Sequence, residues 1–497
     1  MEKRPNILIF MTDQQRGGTV LPHSPLKAIT PNLDRFRSQG VTFAEAHCPS
    51  PHCCPSRATF FTGLYPSQHG VWNNVTVPNA LSRGLNPGTR LWSQDLRASG
   101  YDLYFTGKWH VSATETPADY GWDMRDRRHD EAAGVPHVTG DIGQHAAQRD
   151  WSRYAANPGL EFPGARLEAE VRRPGYGGYV HYGVHPDKFG DRDVVHDAVS
   201  ALPRLKAKGR PWCLYAGTLG PHDPYFVPQE YLDLYPADSI ELPPNFADRM
   251  KDKPALYRRT RGVFDQLSES EHREALRHYL AFCTFQDALF GELLSALDAS
   301  GQADNTVVLF CSDHGDYAGD HGLWAKGLPC FRGAYHVPLV VRDPRAERVR
   351  SGSTVEAFVS LADIGPTIAE WAGVAAPADT PGRSLVPLLR GDIPVGWRDA
   401  IFTQSNGNEL YGIQRSVTTR EWKFVHNGFD FDELYDLRND PDEQINRIDD
   451  PSLAAMADAA MRRIWEFAHA VGDRYTNDYI MVGLARQGPG SAFGDKA

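Results

Sequence analysis

HCPSPHCCPSRATFFTG, residues 47–63, sets the reading of the whole chain. Its first half, His47 to Pro55, is crowded with Cys, Pro and His and reads as a loop. Its second half, Ser56 to Thr62, reads as a short helix that Gly63 stops. A thiol at that junction lies beside a helix N-terminus, where unpaired N–H groups and the helix dipole favour negative charge. Arg57, one turn on, can reach back to the same anion. Taken alone, this describes a reactive or a structural thiol on a loop.

Working outward, NILIFMTDQQ (residues 6–15) is a β-rich apolar run that ends at Asp13. A carboxylate just past the C-terminal end of a strand is where open α/β sheets place their ligands. Thr30-Pro31 opens a helix that Gly40 closes, and Val41 to Phe43 reads as a strand. Trp92 to Ser99 reads as a helix and Tyr101 to Thr106 as a strand that delivers GKWH (107–110). Lys108 and His110, two apart on a strand, face the same side and pair a permanent cation with a titratable base. Residues 111 to about 190 lack periodicity and read as long loops over the mouth of a site. Helical spacing resumes from Asp193 to Lys206, with Pro203 expected to end or kink it. Trp212 to Ala216 is a strand, followed by a loop carrying His222. Glu271 to Ala299 is a long amphipathic helix stopped by Gly301. Thr306 to Cys311 is a β-branched apolar strand suited to the centre of a sheet; it leads into SDHGD (312–316). Phe358 to Val374 supplies a further strand and helix. Beyond PGRSL (381–385), alternating runs from Ala400 to Val425 suggest antiparallel strands, and Ala454 to Val471 an amphipathic helix.

The fold expected is α/β: a large domain, residues 1–380, with a central, mostly parallel mixed sheet flanked by helices, and a smaller C-terminal α+β domain, residues 381–497. A chain of 497 residues can bury cores for both. The net charge of −11 argues against nucleic acid as a partner, and more weakly against long polyanionic substrates. No secretory h-region and no stretch long enough to cross a membrane are read from the sequence. Seven cysteines without paired spacing fit reduced thiols and a cytoplasmic protein.

The spacing of Cys53, Pro55, Ser56, Arg57 and Thr62-Gly63 resembles the type I sulfatase signature C-x-P-S-R…T-G, within the alkaline phosphatase superfamily. GKWH resembles the second signature of that family, and SDHG its second metal segment. The resemblance extends to the first strand, to FVSLADIGPTIAEWAGV (358–374) and to the C-terminal run from Glu421. It implies that Cys53 is oxidised by a formylglycine-generating enzyme and that the hydrated aldehyde is the nucleophile. Cys54 is out of register. Asp13, Asp313 and His314, with Cys53, match metal-ligand positions. Gln14 stands where many members have a second acid and can offer an amide oxygen. Ca²⁺ is the cation expected, with Mn²⁺ or Mg²⁺ as rivals. Arg57, Lys108 and Lys326 would neutralise sulfate charge, His222 would protonate the leaving group and His110 would trigger sulfate release. Asn74 would contact the charged group of the substrate. Asp316 and His321 are extra candidates, better explained as loop hydrogen-bonding groups. The implied activity is hydrolysis of a small organic sulfate monoester, by a protein that takes no nucleic acid and no membrane as partner and that can be a homo-oligomer. The alternatives are a phosphonate monoester or phosphodiester hydrolase of the same superfamily, and a non-catalytic sulfate-ester binder with an unconverted Cys53.

Overall fold

The computed structural model describes residues 4–77, 79–124, 151–160, 162, 164–173, 177–345, 351–408, 410–477 and 484–493. Its centre is an eight-stranded sheet in the order Ser353–Val355, Val41–Phe43, Leu339–Arg342, Thr306–Ser312, Asn6–Thr12, Trp212–Gly217, Asp102–Gly107, Asp123–Met124. The neighbours of Leu339–Arg342 run antiparallel to it; every other pairing is parallel. The expected α/β class, with its mostly parallel mixed sheet, holds. The two innermost strands are buried throughout and apolar between their polar ends, as a sheet covered on both faces requires. Alternation then divides their side chains: Ile7, Ile9 and Met11 enter one core, Leu8 and Phe10 the other. The first core also takes the helices Cys53–Thr62 and Ile364–Ala372; the second takes Pro31–Gln39, Asp191–Ala207 and Glu269–Ala299.

A four-stranded antiparallel sheet, Ile401–Gly407, Tyr411–Thr418, Trp422–Asn427 and Glu433–Asp436, follows in chain order. The helix Ala454–Ala470 covers it through Ala457, Met461, Ile464 and Trp465, while Val425 and Tyr435 pack into the core of the large sheet.

Five expectations are corrected. The helix at the thiol begins at Cys53 itself, with His52 as its N-cap. Pro55 does not hold it back, because the N–H that proline lacks is unpaired in any first turn. Lys108 and His110 lie past the strand, which ends at Gly107, where φ is +90°. A Cβ on Gly107 would fall 1.9 Å from the Gly217 carbonyl oxygen. The region 111–190 contains a hairpin, Glu170–Arg173 with Gly177–Val180, and a strand, Tyr182–Val184, hidden in the sequence by glycine and tyrosine; residues 125–150 lie outside the described residues. The helix Asp191–Ala207 passes through Pro203, on an exposed face where the orphaned Val199 carbonyl can meet water. Helix Glu269–Ala299 is also long and apolar enough to cross a membrane, against the sequence reading, and 78% of its apolar window is buried within the protein. All seven cysteines are free and buried.

Candidate active site

The C-terminal ends of the parallel strands converge on Cys53. Thr12 and Ser312 are register partners, so Asp13 and Asp313 leave the sheet side by side. Lys108 follows the strand Asp102–Gly107, and His222 lies on the loop after Trp212–Gly217. The helix Cys53–Thr62 enters from the first-core face and sets Cys53 between them.

Ligand-type atoms of Asp13, Cys53, Asp313 and His314 all lie within 4.8 Å of one another, and all four residues are buried. The Cys53 thiol is 3.2 Å from His314 Nε2 and 3.8 Å from Asp13 Oδ1. His314 Nδ1 donates to the Gly315 carbonyl at 2.9 Å, which aims Nε2 at the cluster; burial would lower its imidazole, but Asp313 and Cys53 raise it above the ordinary histidine value. Two carboxylate oxygens and one imidazole nitrogen, buried side by side, fit a divalent cation.

Arg57 is wholly buried behind the cluster. Its Nε donates to Asp313 Oδ2 at 2.7 Å and one Nη to Asp13 Oδ2 at 3.0 Å; the other Nη donates to the Lys108 carbonyl and the Tyr215 hydroxyl. Lys108 Nζ donates to Asp13 Oδ2 at 2.5 Å. Burial and the Cys53 thiol push the Asp13 carboxyl up, but Lys108, His222 and Arg57 outweigh them and hold it well below the usual carboxylate range. Asp313 moves the other way: burial and neighbouring Asp13 raise it against the pull of His314 and Arg57. Burial would also raise Cys53, yet Lys108, Lys326 and His314 bring the thiol well below its ordinary value. The pocket is built to hold an anion at that side chain.

Gln14, at φ +66°, is pinned by acids. Its Nε2 donates to Asp316 at 2.6 Å and to Asp223 at 3.1 Å, which leaves Oε1 to accept from Lys326 Nζ at 2.5 Å. Lys326 also reaches His222 Nε2 at 2.5 Å, while His222 Nδ1 faces the Asp223 carbonyl at 2.5 Å. His110 is half-buried, with Nε2 3.4 Å from Thr76 Oγ1 and a buried Nδ1 that has no hydrogen-bond partner among the described residues. Burial and Lys108 keep its imidazole below the ordinary histidine value, with Cys53 pulling the other way. Asn74 Oδ1 accepts the Cys54 N–H at 3.1 Å and so holds the first turn of the helix Cys53–Thr62. Cys54 points away: its sulfur accepts from the Val75 N–H and packs in the first core.

Every residue singled out from the motifs is therefore near this centre except His321, which is bonded to Asp248 and Asn245. Asp316 is a hydrogen-bonding acid, taking Gln14, the Tyr225 hydroxyl and the N–H groups of Ala318 and Ala325. Sequence reasoning missed Asp223, although it adjoins His222. It also missed Tyr215, which lies mid-strand and carries no motif.

Residues 5–374 match the family described as Sulfatase. The chain belongs to the sulfatase family. Residues 319–470 of this sulfatase also match the family described as N-sulphoglucosamine sulphohydrolase, C-terminal. The chain is 29% identical to the multifunctional alkaline phosphatase superfamily protein PehA of Trinickia caryophylli, over 96% of this chain and 97% of that one. It is 28% identical to the choline-sulfatase of Rhizobium meliloti, over 90% and 83%. The phosphonate monoester hydrolase of Agrobacterium radiobacter superposes with a TM-score of 0.72 at 25% identity, covering 94% of this chain and 96% of that one. The sulfatase is a sulfuric ester hydrolase of the alkaline phosphatase superfamily.

Proposed function

We propose that the protein hydrolyses a small organic sulfate monoester to an alcohol and inorganic sulfate, with formylglycine formed from Cys53. The observation that carries this reading is the meeting of Lys108 and His110 with the Asp13, Asp313 and His314 cluster around one buried residue. A sulfate ester already carries negative charge, so its hydrolysis needs a strong oxygen nucleophile, fixed cations and a proton for the leaving group.

Asp13, Asp313 and His314 would hold a divalent cation, Ca²⁺ by its oxygen donors and Mn²⁺ by its imidazole, with Gln14 able to join by exchanging Lys326. Such a cation supplies Lewis acidity to the sulfate oxygens and lowers the pKa of a bound hydroxyl. Formylglycine supplies, as its hydrate, one hydroxyl to attack and a second by which the enzyme can be regenerated. The protein's own groups do the rest. Lys108, Lys326 and Arg57 set positive charge where sulfate oxygens gain negative charge. Lys326 donates into His222 Nε2 in the free site, where Nδ1 faces the Asp223 carbonyl; once Lys326 is drawn onto a sulfate oxygen as a cation, Nε2 is free to take a proton from solvent and pass it to the departing alkoxide. His110, kept neutral by burial and Lys108, takes a proton from residue 53 and so opens the route to sulfate release. Asn74 Nδ2 would contact the charged group.

A second reading, phosphonate monoester or phosphodiester hydrolysis, draws support from the likeness to the Agrobacterium radiobacter enzyme and from Asn74, His222 and Lys326. The test is a panel of sulfate monoesters and phosphonate esters, given to matured enzyme whose residue 53 has been weighed by mass spectrometry. Conversion exchanges H₂S for O and lowers the peptide mass. Faster turnover of phosphonates by converted enzyme would reverse the order of the two readings. A wholly unconverted Cys53 with full turnover would remove the nucleophile.

A further inference from the structure

The loop that carries His222 is tied from behind by one carboxylate. Asp191 is the first residue of the helix Asp191–Ala207 and is fully buried. Its Oδ1 accepts the Leu219 N–H at 2.7 Å; its Oδ2 accepts the Gly220 N–H at 2.8 Å and the Gln286 amide at 2.9 Å. The carbonyl of the same Gly220 accepts the N–H of Asp13 at 3.1 Å, and the His222 N–H closes the turn onto Leu219 at 3.1 Å. Gly220 must lack a side chain here, since a Cβ would meet Gln286 Nε2 at 2.1 Å and the Phe282 ring at 2.4 Å.

An acid at a helix start ordinarily caps its own helix. Asp191 does not. That task falls to Asp187, whose two carboxylate oxygens take the N–H groups of Asp191 and Arg192 at 3.0 and 2.9 Å. Nor does Asp191 form an ion pair among the described residues; its three partners are neutral. A buried acid without a cation is costly to keep, and burial with nearby Asp187 pushes its carboxyl up to about 6. What the carboxylate gains in return is the position of two peptide groups, one leading to Asp13 and one to His222.

We infer that Asp191 is a positioning residue for the hydrolytic reaction: it holds the Leu219-Gly220 turn so that His222 stands at the leaving group, and it touches no substrate. The inference rests on the reading of His222 as proton donor. A displacement of about 1 Å at a reacting group can cost about a hundredfold in rate, so a turn held by a single carboxylate is a sensitive point.

The experiment compares kcat/KM for a nitrophenyl sulfate and an alkyl sulfate in wild type, Asp191→Asn, His222→Ala and the double variant. Asp191→Asn keeps the size of the side chain but turns an N–H₂ towards one of the two peptide donors. Loss on the alkyl ester should be about 10- to 100-fold, because an alkoxide needs its proton, and loss on the nitrophenyl ester within about threefold. In the His222→Ala background Asp191→Asn should add nothing. Backbone amide exchange at Leu219 and Gly220 should quicken in Asp191→Asn while the body of the helix stays protected. Equal loss on both esters, full additivity with His222→Ala, or unchanged exchange at the two amides would overturn the proposal. A His222→Ala enzyme that loses both esters equally would remove the proton-donor reading and this inference with it, an outcome distinct from the others. Should Asp191→Asn fail to fold, Gln286→Leu removes one donor to the same carboxylate; it should show the same selective loss in smaller measure, and no selectivity would count against the proposal.

Discussion

Replacing Arg57 by Met removes a buried charge while keeping most of the side-chain volume, and the structure says where the damage falls. Asp13 keeps Lys108 as a partner. Asp313 keeps N–H bonds from Gln14 and His314 on Oδ1, but Oδ2 loses the Arg57 Nε. In metal-free protein the cost is that of breaking one buried pair, about 3–5 kcal/mol. Asp313, already raised by burial and Asp13, then recovers part of it by taking a proton. In metal-loaded protein the cation becomes the partner of Asp313, and the cost should fall to that of the lost hydrogen bonds to Lys108 and Tyr215, about 1–2 kcal/mol. The difference of about 2 kcal/mol must appear by linkage as about 30-fold tighter cation binding in Arg57→Met than in wild type. Turnover should nevertheless collapse, since the cation alone does not replace the positive charge that Arg57 adds behind the sulfate oxygens. Urea unfolding with and without chelator, paired with calorimetric metal titration, measures both sides of the cycle. A variant destabilised equally in the two states, or one that binds the cation more weakly, would refute the view that Arg57 and the metal share Asp313.

Three further outcomes are expected. Cys53→Ala should abolish turnover with an unchanged melting temperature, whereas Cys54→Ala should keep most activity and lose about 1–2 kcal/mol of stability, because Cys54 lies in the core; reversed behaviour would mean the wrong thiol was chosen. His110→Ala should complete one fast turnover and stall, with sulfate retained on the protein in intact mass spectra; steady turnover without retained sulfate would leave His110 as a binding group only. Stability should also fall as the solution is acidified. Burial holds both His69 and His181 at about 3, below the ordinary histidine value, so each is neutral when folded and takes a proton when unfolded. Their contribution is complete above about pH 6.5 and is lost as pH falls towards 3, at about 1.4 kcal/mol per pH unit per group; flat denaturation midpoints between pH 6.5 and 5 would exclude this.

Much of the scaffold was legible because its strands are long in apolar and β-branched residues and end in residues of unlike chemistry. Asn6–Thr12 and Thr306–Ser312 could be named from pattern alone, and their ends carry Asp13 and Asp313. What escaped was whatever glycine and tyrosine disguise. The hairpin Glu170–Arg173 with Gly177–Val180 has a strand of Gly-Gly-Tyr-Val, which reads as loop until pairing with the opposite strand selects an extended backbone. The end of the strand before Lys108 was misplaced by a similar cause. Gly107 bends away at positive φ because the Gly217 carbonyl lies against its α-carbon, and that closeness belongs to a neighbour more than a hundred residues away.

The site divides along the same line. The residues proposed to meet the reacting group or a cation carry their chemistry in the side chain and lie in short motifs, so Cys53, Arg57, Lys108, His314 and their partners stood out. Those that place them work through backbone amides. Asp191 is seen only once Leu219 and Gly220, some thirty residues downstream, are folded against its carboxylate; within DRDVVHDAV it is one of three acids on an ordinary helix. Gln14 lies between the two cases. Its position beside Asp13 is written in the chain, but the direction of its oxygen depends on Asp316 and Asp223, which hold the amide nitrogen from the far side. A glutamine in place of an acid thus keeps an oxygen turned inward while lowering the negative charge of the cluster by one. With that charge absent, Lys326 divides its hydrogen bonds between Gln14 and His222 and is free to move, rather than being bound to a carboxylate. Gln14→Asp should therefore strengthen cation binding and, by holding Lys326 against His222 Nε2, slow the alkyl esters that need that nitrogen, and a Gln14→Asp enzyme unchanged on alkyl esters would break the link between the two residues.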